Sequence, residues 1–89
     1  MPGNPVRPTA VLIVDDEKPM RHALQRFLKG LDLPTLTAAS GAEALEVLRA
    51  SPVALMLADI RMPGMSGIDL VPQALALDPD LAVVMLSAV

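Results

Sequence analysis

Three stretches of this chain are apolar at consecutive positions: "AVLIVDD" at 10–16, "VALMLAD" at 53–59 and "LAVVMLSAV" at 81–89. A strand with one face in water alternates apolar and polar residues. A strand that is apolar throughout is buried on both faces, which is the condition of a parallel sheet covered by helices. Parallel neighbours cannot be joined by a tight hairpin, so long crossover segments must lie between the runs.

The segments between the runs have helical spacing. Met20, Leu24, Phe27, Leu28 and Leu31 recur every third or fourth residue, and Pro19 suits a first helical turn. "SGAE" at 40–43 and "SGID" at 66–69 each place a hydroxyl three residues before an acid, which predicts helices near 41–50 and 67–77. Pro72 predicts that the third helix kinks or starts late. "PTLTAA" at 34–39 is shorter and less apolar, as suits a strand at a sheet edge. The order β-α-β-α-β-α-β predicts an α/β fold, a doubly wound parallel sheet with right-handed crossovers and helices on both faces. Three prolines among the first eight residues make residues 1–9 a flexible tail, with the domain occupying 10–89.

Composition narrows the function. Seven Lys and Arg against ten Asp and Glu give a net charge of −3, which argues against direct nucleic-acid contact. The chain has no cysteine and one histidine, His22, so zinc chemistry has no ligand set. A single aromatic, Phe27, leaves base stacking without platforms and makes the core aliphatic. No apolar run is long enough to span a bilayer and the N-terminus lacks a signal-peptide segment, so a cytoplasmic location is expected.

In an open parallel sheet, ligands bind beyond the carboxyl ends of the strands where the strand order reverses. Asp15, Asp16 and Asp59 stand at those ends. One such acid alone commonly faces solvent; three delivered to the same end repel one another unless a cation joins them. A hard divalent ion, Mg²⁺, suits carboxylates, a loop carbonyl and water.

"VDDE" at 14–17, the acid that closes the third run in "LADIRMPGMSG", and "LSA" at 86–88 together resemble the receiver domain of bacterial response regulators. The resemblance covers nearly the whole chain and implies a flavodoxin-like sheet in the order 2-1-3-4. It implies that Asp59 is a phosphoacceptor taking a phosphoryl group from a sensor histidine kinase or a small acyl phosphate. Asp15, Asp16, Asp59 and the backbone carbonyl of Arg61 match the family's Mg²⁺ site, Ser87 its phosphoryl-binding hydroxyl, and Ala88 the small residue that leaves room for the phosphate. Met62, Pro63, Gly64 and Gly67 match its loop and the start of the following helix. Glu17 is read as a helix-start acid rather than a metal ligand. Such a domain is a signalling acceptor and not an enzyme acting on a separate substrate.

A complete receiver has five strands and five helices, so the sequence is expected to be one cut after the fourth strand. With the cut would go the family's phosphate-pairing lysine, impairing phosphorylation. It would also leave Leu81, Val83, Val84, Met85 and Leu86 uncovered, which predicts a homodimer through the fourth-strand region. Two other functions remain open at this level. One is a non-phosphorylated pseudo-receiver serving as an interaction module. The other is a phosphatase of the haloacid dehalogenase type, although that family has Asp-x-Asp where this chain has "DDE".

Overall fold

In a computed structural model that describes residues 10–86, the chain forms four strands and three helices in the expected order. They are β1 (Val11–Val14), α1 (Lys18–Gly30), β2 (Thr35–Ala38), α2 (Gly41–Ala50), β3 (Leu55–Asp59), α3 (Gly67–Leu77) and β4 (Ala82–Leu86). All neighbours in the sheet are parallel, in the order β2-β1-β3-β4. The proposed tail, residues 1–9, and Ser87 lie outside the described residues.

Parity along the strands creates two cores. Leu12, Val14, Met56 and Ala58 turn to one face, where they meet Ala44 and Leu45 of α2 and Leu70 and Ala74 of α3. Val11 and Ile13 turn to the other and meet Leu28 of α1. The chain steps from β1 to β2 in one direction and then to β3 and β4 in the other. With one crossover hand, α1 must then lie on the face opposite α2 and α3.

The helix ends follow local chemistry. Ser40 Oγ accepts from the Glu43 N–H at 3.1 Å, and Ser66 Oγ from the Asp69 N–H at 3.1 Å. These caps satisfy N–H groups that a first turn leaves unpaired. α1 closes with the Leu33 N–H on the Leu28 carbonyl (3.1 Å) and the Asp32 N–H on the Lys29 carbonyl (3.0 Å), a Schellman motif with Asp32 at φ 59° in the left-handed region.

Three expectations are corrected. α3 begins at Gly67 and continues through Pro72, so it does not start late; its serine cap is in place from the first turn, and Pro72 is exposed on the outer surface. On α1, Leu28 is buried and Leu24 half-buried, whereas Met20, Phe27 and Leu31 are exposed, Phe27 by 65%. On β4, Leu81 is buried at its entry, and Val83 and Met85 pack against the larger core. The uncovered part of the strand is the opposite parity, Ala82 and Val84.

Candidate functional site

The strand order reverses between β1 and β3, because the chain leaves β1 for β2 on one side and returns to β3 on the other. That is the switch point at which open α/β sheets bind ligands. Asp15 continues the β1 ladder, its N–H bonded to the Ala38 carbonyl at 3.1 Å, and is buried. Its Oδ1 accepts from the Glu17 N–H at 2.8 Å, which turns the chain into α1. Asp16 is exposed beside it, and Asp59, half-buried, ends β3. One carboxylate oxygen from each of the three lies within 4.8 Å of the others. Ionised groups at that spacing repel by roughly 1 kcal/mol per pair even in water, and by more near a protein surface.

The loop after β3 is tied down at several points. Asp59 Oδ1 accepts from the Arg61 N–H at 3.1 Å, the Ile60 N–H bonds the Leu86 carbonyl at 3.1 Å, and the Gly67 N–H bonds the Ile60 carbonyl at 3.0 Å. Met62 is buried in the larger core, and Gly64 takes φ 78°, a conformation that side chains rarely adopt. Gly67 is required by proximity: a Cβ there would collide with the Asp59 carbonyl oxygen and lie 2.6 Å from Met85 Cε. The start of α3 is thereby pressed against the end of β3.

The three sequence-predicted acids therefore converge, and Glu17 stays outside their cluster as the N-cap of α1. Arg61 sits in the adjoining loop with its N–H on Asp59. Two contributors were missed by sequence reasoning. Arg21 reaches back from α1 to donate from Nη1 to the Asp15 carbonyl at 2.8 Å. Gly41 admits Met65, whose sulfur would lie 2.7 Å from any Cβ at that position. The signal for Arg21 was its place in the first turn of a helix that starts just past Asp15; Gly41 carried none beyond the capping motif.

A family model described as the response regulator receiver domain matches residues 11–89. The chain belongs to the response regulator receiver domain family. Among curated relatives, this receiver is 41% identical over 78 residues to the DNA-binding transcriptional regulator NtrC of Escherichia coli, covering 88% of the chain and 17% of that protein. It is 38% identical over 78 residues to the C4-dicarboxylate transport transcriptional regulatory protein DctD of Rhizobium meliloti, with the same coverages of 88% and 17%. The chain thus spans about a sixth of the length of those relatives.

Among solved structures, the receiver matches a CheY-like receiver domain protein from Methanospirillum hungatei with a TM-score of 0.88 and 27% identity, over 92% of this chain and 66% of that one. It matches response regulator TrrA from Thermotoga maritima, solved in complex with Mg²⁺-BeF, with a TM-score of 0.86 and 31% identity, over 91% and 70%. The haloacid dehalogenase alternative is not favoured by any of these. The receiver's acid cluster fits a hard cation: its donors are carboxylate oxygens gathered within reach of one ion at the strand ends. Among the described residues, no helix is long and apolar enough to cross a membrane.

Proposed function

We propose that Asp59 of this receiver accepts a phosphoryl group from the phosphohistidine of a sensor histidine kinase or from a small acyl phosphate, and so acts as a signalling acceptor in the cytoplasm. The observation that carries the reading is the approach of the Asp15, Asp16 and Asp59 carboxylates at the strand-order switch point. Asp59 Oδ1 is engaged by the Arg61 N–H, which leaves Oδ2 to attack phosphorus. The new P–O bond forms as the P–N bond to the donor imidazole breaks, and its electron pair returns to the ring nitrogen, which takes up a proton. The product is an aspartyl phosphate.

Asp15, Asp16, Asp59 and the carbonyl of Arg61 would hold Mg²⁺, which when bound neutralises charge shared by the acids and the phosphoryl oxygens. Asp15 is the anchored member: its carboxylate and its carbonyl are both fixed by hydrogen bonds, from Glu17 and Arg21. Ser87 follows Leu86, the register partner of Asp59, and in this reading its hydroxyl binds a phosphoryl oxygen. Residues 10–89 form the signalling unit and residues 1–9 lead into it.

Two measurements test the assignment. Calorimetric titration should detect Mg²⁺ binding to the native chain and none to Asp59→Ala. Equal affinity would overturn the metal site. Incubation with acetyl phosphate and Mg²⁺ should add one phosphoryl mass at Asp59, slowly and in part of the chains, in line with the impaired phosphorylation expected above, and located by fragmentation; the same label on Asp59→Asn would overturn the acceptor.

Self-association belongs to the same proposal. By register, Leu55, Leu57, Ala82 and Val84 share one face, where Val84 is 45% exposed. In this reading they supply the apolar part of a two-fold homodimer interface. Light scattering should report a dimer at micromolar concentration that Val84→Lys dissociates, and a monomer would refute it.

A further inference from the structure

β2 lies at the opposite edge of the sheet from β4. Among the described residues, β2 has one strand neighbour, β1. The carbonyls of Pro34 and Ala38 accept from β1 through the Val11 and Asp15 N–H groups, at 2.9 and 3.1 Å. In a parallel ladder the residues of alternate parity turn their N–H and C=O the other way, so Thr35 and Thr37 present theirs outward. Within Thr35–Ala38 there is no charge and no proline, two of the devices that blunt an exposed edge.

The grooves on the two sides of this edge differ in sign. On the α1 side, a groove of about 550 Å³ carries His22, Arg26 and Lys29 over Leu33 and Pro34, with no acid in its lining. On the α2 side, one of about 490 Å³ carries Glu43 and Glu46 beside Val47 and Ala50, with no base in its lining. Thr35 and Gln25 border both, joined by a hydrogen bond from Gln25 Nε2 to Thr35 Oγ1 at 3.2 Å. The cationic side stands out because the chain as a whole carries −3 and α1 holds no acid at all.

We propose that the β2 edge receives an extended segment of a partner protein as an added strand, with acidic side chains directed towards α1 and basic ones towards α2. Successive residues of a strand point to opposite faces, so a segment that alternates acid and base satisfies both grooves while its backbone pairs with Thr35 and Thr37. A second copy of this chain does not fit. A two-fold continuation of the sheet through β2 would bring the His22, Arg26 and Lys29 side of one copy towards the same side of the other. Residues 1–9 contain three prolines and no acid, and do not match the pattern either. Because the edge offers two outward residues, binding is weak and depends on the flanking charges.

The test is a capped peptide of about ten residues, a common strand length, with Glu and Lys alternating, titrated into the isotope-labelled chain. Amide signals of Thr35–Ala38 should shift, and hydrogen exchange at Thr35 and Thr37 should slow. Arg26→Glu and Glu46→Lys, both on exposed positions, should each weaken binding about fivefold, the scale of one cross-strand charge pair. The same peptide N-methylated at alternate residues should not bind, a control that leaves the protein's folding untouched. The proposal is overturned if the N-methylated peptide, or one with its charges in blocks, binds equally well. Shifts confined to α1 would mean a simple cationic surface, and no shift at millimolar peptide no site; either outcome also overturns it.

Discussion

The two faces of the sheet are built from the same strands but are finished to different degrees. On the face covered by α2 and α3, residues from β1, β2, β3 and both helices merge into one buried cluster, against which Val83 and Met85 of β4 pack, and in which Leu12, Met56, Ala58 and Leu70 have no exposed surface. On the face covered by α1, burial is confined to Val11, Ile13 and Leu28, while Leu55 and Leu57 are half-buried and Val84 is exposed. Among the described residues, one helix packs on this face and two on the other. Among the described residues, burial is thus concentrated on one side of the sheet.

The largest expected effect measures that contrast directly on adjacent residues of β3. Met56→Ala empties a fully buried position and should cost about 2–5 kcal/mol of unfolding free energy. Leu57→Ala, one residue on and facing α1, should cost about 1 kcal/mol, in line with its partial burial. Urea denaturation of both variants decides it, and equal losses would erase the distinction between the faces.

A second experiment asks whether the better-packed side also fixes the acid site. Gly67→Ala forces a methyl group against the Asp59 carbonyl and Met85. It should destabilise by about 1–3 kcal/mol, as overpacking commonly does, and should weaken Mg²⁺ binding in calorimetry because the Asp59 backbone must shift. Unchanged metal affinity would show that the carboxylates are positioned independently of α3.

Next in size is the helix cap on the same side: Ser66→Ala removes the acceptor for the Asp69 N–H and should cost about 1 kcal/mol by thermal or chemical denaturation. The smallest effect lies on the α1 side, where Asp32 holds a left-handed conformation at the end of the helix. Asp32→Gly should stabilise by about 0.5 kcal/mol, since glycine adopts that conformation without steric cost. A loss of stability would mean that the aspartate side chain contributes more than its backbone strain.

Much of this was legible along the chain because it depends on neighbours in sequence. Runs of consecutive apolar residues marked three of the strands, Ser40 and Ser66 marked two helix starts, and the order of the elements left one topology with Asp15, Asp16 and Asp59 at one end. The receiver resemblance rested on those same acids and the "MPG" loop. Pro72 misled in part: a proline after a capped first turn can sit on the exposed face of a helix that continues through it.

What the sequence by itself determined was which residues alternate inward and which acids share the carboxyl end of the sheet, since both follow from local periodicity and element order. Tertiary structure alone decided which apolar residues the core would use. Periodicity gave Phe27, Met20 and Leu31 the same weight as Leu28, but one of the four is buried, because only tertiary packing decides which side of an apolar arc meets the sheet. It also decided that Gly41 and Gly67 must lack side chains, and that Arg21 and Arg61 would fix Asp15 and Asp59 through backbone and carboxylate hydrogen bonds. Those are distances between elements far apart in the chain, and no local pattern encodes a distance.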